Sequence, residues 1–330
     1  MEKEVPLKDL VGGLASAPVR SVVITGANSG VGLAGAKQLT AAGHRVTCVC
    51  RNQAKADAAA AACNAYAAEF GTRAGGVATG AVCDLSSFAS VRAFAAAAPP
   101  MDTLVLNAGL SLKTGDKEVR RTEDGFEITV GTNHFGHFLL ASLLTPALAK
   151  GSRPRLVVTA SGVHDSRTGD PGAQATLGSF EGLLSQGAAA TMIDGGAYDS
   201  NKAYKDSKLC NVLFMEEAAR RLGPKGISVN AFSPGFIPNA DGFFRYQDPL
   251  AAKALAAVGK LAGFTETNEF GGSALAYLAV DPAVDGATGS WYDAYPPGKH
   301  QLAVHDVSPE ASDVAKQARL WELSAKAVGV

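Results

Sequence analysis

Two side chains in the segment 198–211 have the chemistry to move a proton. Tyr204 and Lys208 lie four residues apart in a stretch whose composition predicts a helix, so both project from one helix face. A phenol is a weak acid, with an ordinary pKa of about 10. A neighbouring ammonium stabilises the phenolate and makes its proton easier to transfer. The pair therefore predicts a proton donor, although a solvated Tyr–Lys pair would show the same spacing.

A glycine-rich turn indicates a phosphate site. The predicted strand at 21–25 leads into the sequence Thr-Gly-Ala-Asn-Ser-Gly-Val-Gly, and a helical pattern follows. Glycines let the backbone approach a pyrophosphate, and the helix N terminus stabilises its charge. An ordinary strand-to-helix turn is the alternative, but its place at the first predicted strand of the sheet favours a dinucleotide. The residues predicted to cradle it are Gly26, Asn28, Ser29, Gly30, Val31 and Gly32.

The residue that reads the adenosine ribose is predicted at the end of the second strand. Arg51 lies there, 19 residues beyond Gly32, and Lys55 follows one turn later. An acidic residue at this place would favour NAD, whereas a guanidinium fits a 2′-phosphate. The sequence therefore predicts NADPH as the cofactor. The alternative is that Arg51 only faces solvent at a strand end.

Later predicted strands also end in residues suited to a cofactor. Asp84 follows the third strand and suits a contact with the adenine, although an Asp after a strand is also a common helix cap. The sequence Asn107-Ala108-Gly109 closes the fourth strand, where small side chains would let the backbone pass close to the cofactor.

Apolar β-branched runs alternate with alanine-rich stretches along the chain. Continuous apolar strands separated by helices predict a parallel sheet covered by helices on both faces. The sequence therefore predicts an α/β fold with a doubly wound, Rossmann-type sheet, in a single domain spanning residues 1–330. The predicted strands begin near residues 21, 44, 80, 103, 155, 227 and 289, and residues 56–70 are predicted to form a covering helix.

Two regions interrupt this alternation, residues 163–201 and 236–270. Long connections in compact α/β proteins are usually functional, so both are predicted to be lid-like insertions at the carboxyl ends of strands. Within the second, residues 249–264 carry an apolar stripe and two lysines. This segment is predicted to form a lid helix over the pocket. The alternative is a peripheral contact with a membrane surface or with another subunit of a homo-oligomer.

Composition narrows the range of partners. The chain has 30 Lys and Arg against 31 Asp and Glu, which argues against nucleic acid and favours small molecules or proteins. Its five cysteines include no C-x-x-C pair, so reduced thiols are predicted, without a structural disulfide or a metal site. No apolar run reaches the roughly 18 residues of a membrane span. The first twenty residues mix both charges, so no targeting segment is predicted in this chain.

Taken together, the motifs resemble those of the short-chain dehydrogenase/reductase superfamily. Asn133, Ser161 and the Pro234-Gly235 pair occur with the glycine turn, Asn-Ala-Gly and Y-x-x-x-K in the order of that superfamily. The resemblance implies that Tyr204 donates a proton, and that Lys208 lowers the pKa of its phenol and holds the nicotinamide ribose. It also implies that Ser161 binds the reacting substrate and that Asn133 supports a proton-relay water. The cofactor-binding set then also includes Leu85, Tyr204, Lys208, Pro234 and Gly235.

Longer strings resemble one branch, the light-dependent protochlorophyllide oxidoreductases. They cover residues 124–140, 192–211 and 310–330, and the 43 residues from Ser161 to Tyr204 exceed the usual spacing of the superfamily. The resemblance implies light-driven, NADPH-dependent reduction of protochlorophyllide to chlorophyllide in chlorophyll biosynthesis. It also implies a plastid, in the stroma or associated with thylakoids, if the source is a photosynthetic eukaryote, and the cytoplasm otherwise.

Departures from the branch fall where the substrate should lie. Ser111 stands where the branch usually has Tyr, Gly109 where it has Ala, and Phe236 where it has Cys. Cys210 matches a cysteine that the branch links to pigment binding. Ser111, Phe236 and Cys210 are therefore candidate substrate residues. However, Cys210 lies about 240° around a regular helix from Tyr204, which favours a packing thiol.

Two alternatives to the photoenzyme remain open from the sequence. One is a dark, NADPH-dependent carbonyl reductase acting on a retinoid- or steroid-like lipid. The other is a catalytically silent protein that binds NADPH or pigment. His134 and His137 have the spacing of a metal pair, but no third ligand lies near them in the sequence, so ordinary helix packing is predicted.

Overall fold

A nine-stranded sheet runs through the part of the chain that the computed structural model describes, residues 4–168, 171–238 and 246–330. The strands are β1 (Val5–Pro6), β2 (Ser21–Thr25), β3 (Arg45–Cys50), β4 (Val77–Val82), β5 (Thr103–Leu106), β6 (Arg155–Thr159), β7 (Ser228–Phe232), β8 (Ser290–Ala294) and β9 (Gln301–His305). Their order across the sheet is β1-β9-β8-β7-β6-β5-β2-β3-β4. Strands β2 to β8 are parallel, which confirms the predicted Rossmann-type sheet.

The two strands at one edge were not predicted from the sequence. β9 pairs antiparallel with β8, and the two-residue β1 pairs antiparallel with β9. β1 has only two residues, and β9 has three apolar residues between Gln301 and His305, so neither shows the longer apolar run that identifies a buried parallel strand. The pairing of β1 with β9 also joins residues almost 300 positions apart, such as Val5 and Leu302.

Helices cover both faces of the sheet. They are α1 (Leu7–Gly12), α2 (Gly30–Ala41), α3 (Gln53–Phe70), α4 (Phe88–Ala96), α5 (Ile128–Val130), α6 (His137–Leu148), α7 (Glu181–Gln186), α8 (Ser200–Leu222), α9 (Pro249–Ala262), α10 (Asn268–Val280) and α11 (Val314–Val328). Buried side chains of α4, α6, α8 and α11 share one core with the sheet, and those of α1, α2, α3 and α10 share the other. The predicted covering helix over residues 56–70 is confirmed as part of α3.

Alternation along the strands creates these two cores. In β2, the side chain of Val23 joins the core beneath α8, whereas those of Val22 and Ile24 join the opposite core. Apolar side chains therefore face helices on both sides. The strand ends remain free to carry polar and glycine residues at one edge of the sheet.

The helix that carries the predicted proton donor is long and capped. α8 begins after Asp199, whose carboxylate accepts from the backbone N–H groups of Asn201 and Lys202. This places Tyr204 in its second turn.

No helix among the described residues combines the length and the apolar character needed to cross a membrane.

Candidate active site

The glycine turn lies between the end of β2 and the beginning of α2. Gly26 has a left-handed φ of 68°, and a Cβ there would lie 2.8 Å from Cα of Ala108. A Cβ on Gly32 would lie 2.4 Å from Nδ2 of Asn107. Both positions therefore require glycine. Asn28, Ser29, Gly30 and Val31 are partly exposed along the turn, where their backbone is accessible to a pyrophosphate.

Thr25 joins the glycine turn to the neighbouring strand end. Its hydroxyl accepts from the backbone N–H groups of Asn107 and Ala108, at 2.9 and 3.0 Å. Nδ2 of Asn107 donates in return to the Thr25 carbonyl at 2.9 Å. Oγ1 of Thr25 also lies 2.9 Å from Nε2 of His137. The motif that contains Thr25 does not predict this role, because the partners lie about 80 residues or more away in the sequence.

The basic pair lies at the end of β3, beside the glycine turn. Arg51 is exposed and Lys55 is partly exposed in the first turn of α3. The backbone N–H of Lys55 donates to Oδ1 of Asn52, which caps that helix. Arg51 forms no hydrogen bond or ion pair with the residues that the structure describes, so its guanidinium is available to an anionic ligand. Its role in reading a 2′-phosphate stays a prediction.

Asp84 and Leu85 follow β4 as predicted. Oδ1 of Asp84 accepts from both the backbone N–H and the hydroxyl of Ser86. These bonds fix a half-buried carboxylate at the carboxyl edge of the sheet. Ser87, rather than Asp84, caps α4. Leu85 is buried.

Tyr204 and Lys208 lie together on α8, as their spacing predicts. Nζ of Lys208 lies 5.6 Å from the centre of the Tyr204 ring and donates to the carbonyl of Thr159 at 3.1 Å. Burial lowers the pKa of Lys208 to about 8, because the ammonium is removed from water. Tyr204 is only partly buried. The pair thus combines a desolvated cation with a partly exposed phenol.

Asn133 lies in a π-helical turn, residues 131–136, which leads directly into α6. Its Oδ1 accepts from the N–H of Leu110 and its Nδ2 donates to the carbonyl of Leu110, both at 2.9 Å. Nδ2 also donates to Oγ of Ser207, which in turn donates to the carbonyl of Tyr204. The amide therefore holds the loop after β5 against α8. Its predicted support of a proton-relay water stays a prediction.

The two histidines near Asn133 pack within the fold, as predicted. Burial lowers the pKa of His137 to about 4, so its ring is neutral at pH 7. Its Nδ1–H donates to the Asn133 carbonyl, and its Nε2 accepts from the Thr25 hydroxyl. Nε2 of His134 lies 2.8 Å from Oγ of Ser324 on α11. His137 thus connects the glycine turn to the turn that carries Asn133.

Ser161 follows β6, next to the strand that ends in the Asn-Ala-Gly sequence. Its Oγ accepts from the N–H of Val163 at 3.4 Å, and its carbonyl lies 2.9 Å from Nδ1 of His164. Gly109 follows β5, where a Cβ would be 3.7 Å from Nζ of Lys208 and 3.5 Å from Oδ1 of Asn133. The carboxyl ends of β5 and β6 and the face of α8 therefore converge on one site.

The Pro234-Gly235 break follows β7 and leads to Phe236. The backbone of Phe236 pairs with Thr265, and its ring centre lies 5.6 Å from that of Phe264. A Cβ on Gly259 of α9 would lie 3.3 Å from the Phe236 ring. Phe236 therefore packs against α9 and the residues that follow it. Residues 239–245 of the predicted second insertion lie outside the described residues.

The other two candidate substrate residues are buried. Cys210 has no exposed surface and lies in the core shared with α8, where burial raises the pKa of its thiol. Its angular separation from Tyr204 agrees with this packing position. Ser111 is also buried, and its hydroxyl donates to the carbonyl of Leu112. In this conformation neither side chain has exposed surface that a ligand could contact.

The first predicted insertion is a folded element that packs on the core. Leu177, Phe180 and Ile193 are buried in the core beneath α8. Nζ of Lys202 bonds Asp194 in the insertion, at 2.9 Å, and Asp206 on α8, at 2.6 Å. The insertion is thus fastened to the helix that carries Tyr204. Residues 169 and 170 lie outside the described residues.

Comparisons with known proteins identify relatives of this chain. A family model described as short chain dehydrogenase matches residues 20–169. The protochlorophyllide reductase of cucumber chloroplasts is 39% identical over 94% of this chain and 78% of its own length. The chloroplast protochlorophyllide reductase of pea is 38% identical with the same coverage. The corresponding oat protein is 39% identical over 94% of this chain and 99% of its own length.

Solved structures agree with the fold. An uncharacterised protein from Mycobacterium paratuberculosis superposes with a TM-score of 0.69, at 28% identity, and covers 96% of this chain and 97% of its own. The RhlG–NADP complex of Pseudomonas aeruginosa superposes with a TM-score of 0.63, at 23% identity, over 87% of this chain and 98% of its own. The second likeness shows the fold alone.

Proposed function

The chain belongs to the protochlorophyllide reductase family of short-chain dehydrogenases, and we propose that it reduces protochlorophyllide to chlorophyllide with NADPH and light. The observation that carries the proposal is 38–39% identity to several such reductases across 94% of the chain. The position of Lys208 supports it, since its Nζ lies 5.6 Å from the centre of the Tyr204 ring and bonds the carbonyl of Thr159, two residues before Ser161. Hydride transfer to a ring double bond also needs a proton source at the adjacent carbon, which the Tyr204 phenol would supply.

The residues present fit a dinucleotide that carries a 2′-phosphate. Gly26 and Gly32 let the turn pack closely against Ala108 and Asn107, and the partly exposed residues 28–31 would offer their backbone to the pyrophosphate. Arg51 supplies an exposed guanidinium at the place of the adenosine ribose, with Lys55 one turn on. Lys208 would hold the nicotinamide ribose, and Asn107 and Gly109 line the path between the two ends.

The chain's own residues bind, orient and protonate the substrate. NADPH supplies the hydride when bound, and carbon 17 of the photoexcited pigment is its proposed destination. Tyr204 holds the proton at Oη that then passes to carbon 18, and the ammonium of Lys208 stabilises the phenolate left behind. Ser161 orients the reacting ring through its hydroxyl. Asn133 bonds Leu110 and Ser207, and so holds the loop after β5 against α8.

Light supplies the activation in this proposal. Reducing a conjugated ring double bond by hydride requires a stronger electrophile than the ground-state macrocycle. The cysteine spacing of the chain does not match an iron–sulfur motif that could deliver electrons instead. Absorption by the pigment therefore accounts for the reaction with the residues that this chain contains.

A dark-assembled complex of the protein, NADPH and protochlorophyllide tests the function directly. We expect no change of the absorption spectrum in darkness and conversion of the pigment band after a flash at its own wavelength. Steady oxidation of NADPH by protochlorophyllide in darkness would overturn the photoenzyme. Dark reduction of retinal or a ketosteroid, with no reaction of the pigment, would favour the carbonyl reductase that the departures at Ser111 and Phe236 permit.

A peripheral contact of α9 and a plastid location belong to the same proposal. Leu250 and Leu261 on α9 are 79% and 92% exposed, and Val258 is also largely exposed. Lys253 and Lys260 flank these side chains and favour an anionic membrane surface. Flotation with anionic vesicles and sedimentation without lipid separate membrane contact from self-association into a homo-oligomer. The chloroplast relatives support a plastid.

A further inference from the structure

His164 has no role in the proposed mechanism, but its ring makes two hydrogen bonds next to Ser161. It lies in the 3₁₀ turn Gly162–His164, directly after Ser161, and its ring is buried. Nδ1 lies 2.9 Å from the carbonyl of Ser161, and Nε2 accepts from the backbone N–H of Ser308 at 3.3 Å. The ring also packs edge-on against Trp291, at 4.8 Å between ring centres.

These partners fix the protonation state of the ring. A backbone N–H can only donate, so Nε2 must carry the lone pair, and a carbonyl can only accept, so Nδ1 must carry the proton. Burial lowers the pKa of His164, and Arg167 lowers it further, whereas its bond to the Ser161 carbonyl and the charge of Asp165 raise it. The neutral Nδ1–H form is the one that satisfies both bonds.

The segment around Ser308 is held in place by further hydrogen bonds. The Ser308 hydroxyl accepts from the N–H of Ala311, and Glu310 accepts from the N–H of Leu177 in the first insertion. Arg167 adds a second bond to this segment, at the carbonyl of Val307. The residues after β9 therefore form a fixed platform against which the turn after Ser161 is held.

We propose that His164 is a positioning residue for Ser161, whose carbonyl it holds through the hydrogen bond from its Nδ1–H. Among the described residues, the hydroxyl of Ser161 has one hydrogen bond, a long one from the N–H of Val163 at 3.4 Å. The direction of this hydroxyl therefore depends on the Ser161 backbone, which the hydrogen bond from His164 holds in place. A displacement of about 1 Å at a reacting group can cost a factor of 10² in rate, so this hydrogen bond should affect turnover. The inference rests on the proposed role of Ser161 in the reductase.

Two amide variants each keep one of the two hydrogen bonds of His164 and remove the other. His164→Asn keeps a donor at the position of Nδ1 and loses the acceptor, whereas His164→Gln keeps an acceptor near Nε2 and loses the donor to Ser161. We expect the flash-induced kcat of His164→Asn to stay within about 3-fold of the parent, and that of His164→Gln to fall by about 10- to 100-fold. The dissociation constant for NADPH should change in neither variant.

A purely structural role would produce a different pattern. It would lower the melting temperature and the rate of both variants in parallel, and that result, or a His164→Gln variant with the parent kcat, would overturn the proposal. The tautomer is tested without turnover by ¹⁵N NMR of the histidines in the cofactor-free protein. The Nδ1–H form is expected, and an Nε2–H or doubly protonated ring at pH 7 would also overturn it. A parent protein that shows this tautomer but does not convert the pigment would refute the proposed function alone.

Discussion

Replacing Lys208 with methionine should stabilise the cofactor-free protein and weaken its function. Burial lowers the pKa of Lys208 from 10.5 to about 8, and one pKa unit corresponds to about 1.4 kcal/mol. Keeping the ammonium inside the fold therefore costs about 3 kcal/mol of folding free energy at pH 7. Methionine is similar in length and uncharged, and it loses one hydrogen bond, to Thr159, worth about 1 kcal/mol. A net gain of about 2 kcal/mol is expected.

The stability gained by Lys208→Met should depend on pH. As the pH rises, the folded chain loses the Lys208 proton near pH 8, whereas the unfolded chain keeps it until about 10.5. Between these values the unfolded state binds more protons, so the stability of the parent rises with pH. The advantage of Lys208→Met should therefore be largest below pH 8 and shrink towards pH 10.5.

Urea unfolding of the cofactor-free proteins at pH 7 and pH 9.5 measures the effect. Lys225→Met is a matched control at an exposed position, where a change within about 0.5 kcal/mol is expected at both pH values. NADPH titration and flash turnover should show weaker binding and slower conversion for Lys208→Met alone. A variant less stable than the parent at pH 7, or a gain that grows with pH, would refute the reasoning.

Two further substitutions test the cofactor and proton assignments. Arg51→Ala should weaken NADPH binding by about 1.5–3 kcal/mol, because the charged hydrogen bonds to the 2′-phosphate are lost. NADH binding should hardly change, and equal losses for both cofactors in a titration would contradict the assignment. Tyr204→Phe keeps the ring and removes only the acidic proton, so ligand binding should survive while turnover falls by about 10² to 10⁴. Turnover at the parent rate would mean that the proton comes from another group.

Local sequence signals predicted most of the parallel core and the candidate functional residues. The glycine turn, the Tyr204–Lys208 spacing and the polar ends of β4 to β7 were readable because each depends on residues a few positions apart. Apolar strand runs and helix periodicity likewise operate within one element. The carboxyl ends of parallel strands meet at one edge, so their residues could be expected to converge once the fold class was known.

The tertiary structure decided which side chains hold these groups in place. His164 and Ser308 belong to no local motif, and their bond joins residues 144 positions apart. Thr25 belongs to the glycine turn, but its partners Asn107 and His137 lie far away in the chain. The burial of Cys210 and the pKa of Lys208 likewise depend on packing from several elements. The sequence by itself determined the chemistry available to this protein, since side-chain types and short spacings are local. Only the fold decided hydration, tautomer and orientation, because these arise from contacts between segments that the sequence separates.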